Sequence, residues 1–380
     1  MSPGPSARGL RRPLREELPI LGDLVALAVQ GLSRIDGAEP AQVPFTYRAH
    51  AGPDGPVLTP EGSSLRYAAI AALGLSRIPE RDQRFVLGGR TAADFATQCQ
   101  AAVDPKTEAG AAALALWAAA EVAGTPDLRV ADQLLAALAG QVDTVVVSWM
   151  ITAAIAVGAG AERLRDDAAA RLLEHTGEAG IFPHTLPPAR GVRGHVGCFA
   201  DQVYPIQSLS RLSEATGDVR FRAVADRTAA RIVSVQGAQG QWWWHYDHRD
   251  GSIVERFPVY SVHQYGMAPM VLMELAAAGG ADQSAGIASG VRWLSQHPEC
   301  VESLLAPHLG VVWRKVGRRE LAKASRAVGA VTTAIRPGFH LPGLDRILRP
   351  GVVDHECRPY ELGWLLYAWG EGDRGVGSWA

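Results

Sequence analysis

Apolar positions recur with a period of ~3.6 residues along nearly the whole chain, while the strict alternation of a half-buried strand is scarce. Two kinds of helix follow from this pattern. Segments 15–36, 91–103, 126–141, 161–176, 219–237 and 281–296 each carry one apolar stripe and one charged face, as in ADQLLAALAG. Segments 64–77, 107–123, 143–158, 199–216, 263–279 and 357–371 are apolar nearly all round, as in SWMITAAIAVGAG and YGMAPMVLMELAAAGG. A helix that is apolar on every side must be covered on every side. The two kinds alternate strictly, so the pattern predicts six covered helices ringed by six wet-faced ones. That is an all-α (α/α)6 barrel, a toroid of six helical hairpins, over residues 15–371. Residues 1–14, rich in Pro, Gly and Arg, are expected to be a disordered lead-in, and 372–380 a C-terminal tail.

Glycines punctuate the pattern. Gly74, Gly124, Gly217 and Gly279 lie at the ends of covered segments, where a left-handed residue stops a helix. Loops leaving the covered helices are short. Loops entering them are often long: 37–63, 177–198, 238–262 and 297–356. Alternating hairpins put all the entering loops on one face, together with the N-termini of the covered helices. Free N–H groups there favour negative charge, and long loops gathered on one face usually carry function.

The residues at this mouth are unusual for a surface. The first long loop carries Phe45, Tyr47 and Arg48. The second carries His184, Arg190, Arg193 and His195, after which Phe199, Asp201, Gln202 and Tyr204 open a covered helix. The third reads GQWWWHYDHRDGSIVERFPVYS, with Trp242, Trp244, His245 and Asp247, followed by His263, Gln264 and Tyr265. Its Asp250-Gly251 pair signals a hairpin turn. The last contains Trp313 and Arg314 and closes on Asp354, His355, Glu356, Arg358 and Tyr360. Aromatic faces beside carboxylates and forked arginines suit a polar, ring-shaped ligand such as a sugar.

Each feature also has a structural reading. Asp201 can cap its helix, Glu356 and Arg358 can form a buried pair, and His263 and Gln264 can serve core hydrogen bonding. Successive side chains of an extended segment point to opposite sides, so at most two of Trp242, Trp243 and Trp244 share a direction.

Composition acts by exclusion. The chain of 380 residues is 47% hydrophobic and 20% charged, which suits a large core and argues against global disorder. Its net charge of −2 gives no reason to expect a nucleic-acid partner, and nothing points to a particular protein partner. The four cysteines are scattered without a C-x-x-C pair and read as reduced thiols. No run of ~18 apolar residues predicts a membrane span. The N-terminus lacks the apolar run of a secretory signal, so a cytoplasmic location is expected. No H-x-x-x-H or H-E-x-x-H pair, Walker loop or dinucleotide fingerprint occurs, so neither a metal nor a cofactor is expected. The basic stretch Arg314, Lys315, Arg318, Arg319, Lys323 and Arg326 reads as a solvated helical face.

The twelve-helix alternation, long mouth loops and mouth aromatics resemble the six-hairpin glycosidase-like superfamily over roughly residues 15–371. The resemblance is architectural, and those folds host glycoside hydrolases, uronate-processing enzymes, lyases and epimerases. It implies a carbohydrate-active enzyme acting on an oligosaccharide or glycoconjugate. A hydrolase needs two carboxyls, for which Asp201 and Glu356 are the candidates and Asp247 the substitute. Substrate contacts are expected from Tyr47, Arg48, Tyr204, Trp242, Trp244 and His245, and from Gln264, Tyr265, Trp313, Arg314, Arg358 and Tyr360. A uronate lyase is a close variant, with Arg314 or Arg358 neutralising a carboxylate and His263 or Tyr265 as base. A non-catalytic glycan-binding or scaffold protein is the second class. The third is a terpenoid cyclase or prenyltransferase-like enzyme. Gln236 to Trp242 (QGAQGQW) resembles one QW motif of squalene–hopene-type cyclases, but their D-x-D-D motif is absent. The Cys-His dipeptide of lanthionine cyclases is absent too.

Overall fold

The structure, a computed structural model, describes residues 7–35, 41, 43–52, 55–297, 299, 302–319 and 324–371. The first helices are α1 (Ala7–Glu17), α2 (Ile20–Leu32), α3 (Leu65–Leu75), α4 (Glu80–Val86), α5 (Ala92–Ala101) and α6 (Ala109–Ala118). The chain continues with α7 (Leu128–Ala137), α8 (Thr144–Val157), α9 (Glu162–Glu174), α10 (Ala200–Thr216) and α11 (Val219–Ser234). It ends with α12 (Ala268–Ala277), α13 (Ser284–Gln296), α14 (Ala324–Ile335), α15 (Leu344–Ile347) and α16 (Pro359–Trp369).

All twelve expected helices are present. The covered set is α3, α6, α8, α10, α12 and α16, and almost every residue of each is buried. These six pack in sequence and α16 returns onto α3, closing the ring. The wet-faced set is α2, α5, α7, α9, α11 and α13, each burying one stripe, such as Val224, Ala225, Thr228, Ala229 and Ile232 of α11. Their starts are written locally. Thr91 and Asp94 cap α5 reciprocally, and Asp127 and Asp218 accept the second amides of α7 and α11.

Gly124 and Gly217 stop their helices in the left-handed conformation as expected. Gly74 does something else. It lies inside α3, and a Cβ there would run into the backbone of Gly363, so it is the point where α3 and α16 close the ring.

The far end of the ring is plugged by charge. Arg77, just after α3, and Glu121, in the π-turn that follows α6, converge with Arg211 of α10 and Glu274 of α12, with Tyr367 of α16 among them. The ring is therefore a blind cup. The mouth is built from short antiparallel pieces. Thr46–Gly52 lies between Gly55–Glu61 and Glu356–Cys357; His245–Asp247 lies between Val196–Cys198 and Ile253–Glu255. Lys315–Arg318 lies between Val259–Tyr260 and Pro350–Asp354. The Asp250-Gly251 turn forms as predicted, with Gly251 at φ 72°.

Two expectations fail. The lead-in is helical from Ala7, because Leu14 and Leu18 are buried and Arg11 and Arg15 donate to the last carbonyls of α16, those of Tyr367 and Trp369. Residues 1–6 and the tail 372–380 lie outside the described residues. The basic stretch is not one solvated helix. Lys315–Arg318 is a strand, Arg314 and Arg318 turn inward onto Glu356 and Glu255, and Arg326 belongs to a separate helix, α14; Lys323 lies outside the described residues. Among the described residues, no single helix is long and apolar enough to cross a membrane.

Candidate functional site

The N-termini of the covered helices and the long loops enclose a cleft of about 290 Å³. Arg66 and Tyr67 come from the first turn of α3, Asp143 stands immediately before α8, and Tyr204 rises from α10. A π-turn at His263–Met267 widens the helix leading into α12 and brings His263 to the wall. Loops add His184, Cys198, Trp244, Tyr260 and Arg314, and α16 adds Tyr360. A second hollow of about 350 Å³ adjoins it, sharing His184, Cys198 and Trp244 and adding Arg193, His245 and Arg326. A third, of about 230 Å³, lies under α14 between Glu255, Arg318 and Asp345, away from the cup.

Three loops reach the cleft by one device. Gly180, Gly240 and Gly310 have φ of 76°, 95° and 60°, values that cost a side-chain-bearing residue strain. Behind them run buried pairs: Ile181 and Phe182, Gln241 and Trp242, Val311 and Val312. In each loop the fourth residue after the glycine, His184, Trp244 or Arg314, emerges into the cleft. The first two loops also share their hydrogen bonds, Gly177 to Ile181 and Gly237 to Gln241. The QGAQGQW stretch thus serves architecture. Gln236 donates to the carbonyls of Gly240 and Gly286, and Trp242 packs on Gly290 of α13.

Asp143 is exposed, makes no side-chain cap to α8, and is the one carboxylate lining the cleft among the described residues. Asp201 lies directly behind the wall, fully buried. It accepts the Cys198 amide at 2.6 Å and lies 3.1 Å from Nδ1 of His184. Burial pulls the Asp201 carboxyl upward, against the pull of His184 and the Cys198 amide. The hydrogen bond to Asp201, then its charge, lifts His184 to about 9, so its imidazole is cationic at neutral pH. His263 goes the other way: burial, with Arg314 nearby, brings it down to about 3 and keeps it neutral.

Arg314 is held from below by Glu356 at 3.3 Å and Glu361 at 3.4 Å. Glu361 is fully buried, and burial outweighs Arg314 and Arg358 to push its carboxyl up to about 7. A carboxyl raised from 4.5 keeps a proton in the folded chain that the unfolded chain has released. Its stabilisation is present below pH 4.5 and lost as pH rises through 7. Glu361→Gln removes this dependence. In urea titrations the variant is expected to gain about 3 kcal/mol on the native chain between pH 4 and pH 8. A gap that stays constant with pH would count against it.

The structure gathers Tyr204, Trp244, His263, Arg314 and Tyr360 of the anticipated residues in the cleft, with His245 in the adjoining hollow. It places the others elsewhere. Trp242 is wholly buried against Phe199, leaving Trp244 as the one cleft-lining member of the tryptophan run. Asp247 is buried and pinned by Arg249 at 2.6 Å, holding the hairpin. Glu356 is engaged by Arg314 and Arg358, and Arg358 also stacks over Phe45 and donates to Tyr67. Tyr47 is buried and donates to the Arg34 carbonyl, while Arg48 pairs with Glu61 on the surface. Gln264 donates to the Tyr260 carbonyl, Tyr265 is buried outside the cleft wall, and Trp313 packs edge-on to His355. The missed residues include Arg66, Tyr67, Asp143, Trp149, Cys198 and Tyr260. Asp143 carried the same signal as Asp201, an acid opening a covered helix.

No family model and no curated protein matches the chain. Solved structures do. An unsaturated glucuronyl hydrolase specific for heparin superposes with a TM-score of 0.57 and 13% identity, over 92% of this chain and 95% of its own. A possible member of the GH105 family from Salmonella enterica serovar Paratyphi A gives 0.53 and 12%, over 92% and 93%. Unsaturated glucuronyl hydrolase from Streptococcus agalactiae gives 0.51 and 11%, over 92% and 90%. At such identities the likeness establishes the fold alone, an (α/α)6 toroid of six helical hairpins.

Proposed function

We propose that this chain is a glycoside hydrolase that holds an oligosaccharide or glycoconjugate in the mouth of the toroid and transfers protons through Asp143. The observation that carries the reading is a blind cleft walled by Tyr67, Trp149, Tyr204, Trp244, Tyr260 and Tyr360, with one uncommitted carboxylate at its edge. Aromatic faces take the apolar faces of sugar rings, and Arg66 and Arg314 take hydroxyls or a sugar carboxylate. Asp143 is placed for proton transfer at the glycosidic oxygen, with Asp201 behind the wall as the second carboxyl that hydrolysis calls for. Asp201 and Glu356 as the catalytic pair fit less well, since one is buried behind His184 and the other engaged by two arginines. The charged wall also suits an isoprenoid poorly. Because fold neighbours include unsaturated glucuronyl hydrolases, unsaturated uronides head the substrate panel.

The test is a thermal-shift screen with oligosaccharides, unsaturated uronides and isoprenoid diphosphates, followed by turnover assays. A folded-state ligand must raise the melting temperature. A sugar-specific shift with release of a reducing end is expected. A shift with isoprenoids alone would overturn the reading. Trp244→Ala is expected to weaken the sugar ligand about tenfold, read as Kd, because it removes a stacking face.

One observation favours uronate elimination as a second reading. Arg314 and His263 line the same cleft, an anion partner beside an unprotonated imidazole. An unsaturated product absorbing in the ultraviolet distinguishes it from hydrolysis.

A further inference from the structure

The cleft and the adjoining hollow meet at His184 and Cys198, with Asp201 immediately behind. An imidazole nitrogen, a thiol sulfur and a carboxylate oxygen here all lie within 4.8 Å of one another. We propose that His184, Cys198 and Asp201 form a binding site for a zinc-class divalent cation, with its remaining coordination position open to the cleft.

The donor chemistry selects the ion. Binding would displace the protons held by the His184 imidazole and the Cys198 thiol, and the resulting thiolate, imidazole and single carboxylate suit zinc or cobalt(II), whereas calcium and magnesium require mostly oxygen ligands. Three protein ligands and one free position are the arrangement of a site that does chemistry, as opposed to a closed structural one. Each ligand is held before any ion arrives. Asp201 is fixed by the Cys198 amide in the first turn of α10. Cys198 ends the strand Val196–Cys198, paired with His245–Asp247. The His184 carbonyl accepts the Thr144 amide at 2.9 Å, tying it to the start of α8 beside Asp143. The set forms no short sequence motif, because its ligands come from a loop, a strand end and a helix start. A cation here would polarise a water or sugar oxygen facing Asp143. Arg193 and Arg326, both lining the adjoining hollow, are opposing charges.

The test needs no substrate, so it is independent of the glycosidase reading. Chelator-treated protein is titrated with cobalt(II), followed optically. One equivalent is expected to bind, with a thiolate-to-cobalt band in the near ultraviolet that zinc abolishes by displacement. Cys198→Ser is expected to lose the band while Cys99→Ser keeps it. His184→Gln is expected to weaken cobalt binding at least tenfold, with the far-ultraviolet circular dichroism unchanged. No stoichiometric binding, or a thiolate band that persists in Cys198→Ser, overturns the site. A cobalt site without sugar turnover would instead overturn only the proposed function.

Discussion

On a glycoside that the ligand screen identifies as a substrate, Asp143→Asn is expected to lower kcat by about 10²–10⁴-fold and to leave the melting temperature unchanged. The two halves of this expectation have separate origins. The loss of rate follows from Asp143 being the lining carboxylate, since an amide cannot give up a proton to a leaving oxygen. The unchanged stability follows from its exposure and from the lack of a side-chain cap to α8. Asp201→Asn must behave differently. Its carboxylate is buried and bonded to His184 and the Cys198 amide, so that variant loses stability along with any rate. Measuring kcat and melting temperature together on both variants tells a proton-transfer group from a structural one. Full activity in Asp143→Asn would return the assignment to Asp201.

The helices were legible because burial writes itself into composition. A segment such as SWMITAAIAVGAG has no wet face, and only a ring of neighbours can cover it. The mouth was legible as a place but not as a list. Asp143 and Asp201 both open covered helices, yet what separates them is what lies in front. His184 and Cys198 cover Asp201, while Asp143 is exposed. That ordering belongs to tertiary packing. The tryptophan run shows the same limit, since alternation forbids three common directions but does not say whether Trp242 or Trp244 faces inward. One signal was present and unread: glycines at 180, 240 and 310, each four residues before a cleft side chain. The helix at Ala7–Glu17 had no such signal. Its order comes from Arg11 and Arg15 meeting the end of α16, a contact between the two ends of the chain.

Arg211→Met is expected to destabilise the fold by about 3–5 kcal/mol, the largest stability loss expected of the substitutions considered. Arg211 is 2% exposed and binds Glu121 and Glu274 at 2.8 Å each, while Arg77 binds Glu121 at 2.6 Å. Burial by itself would raise Glu121, but Arg211 and Arg77 outweigh it and bring the carboxyl down to about 2. A carboxyl lowered from 4.5 contributes stability above that pH and loses it as pH falls through 2. Removing Arg211 leaves two buried carboxylates with one nearby guanidinium, and the uncompensated charge, more than the lost bonds, sets the cost. The double change Arg211→Met with Glu274→Leu is therefore expected to recover much of the loss, because it removes the charge together with its partner. Urea unfolding of the single and double variants at pH 7 checks this. A single variant costing less than about 1 kcal/mol would mean that water reaches this end of the ring. The blind cup, on which the closed cleft depends, would then be open at its base.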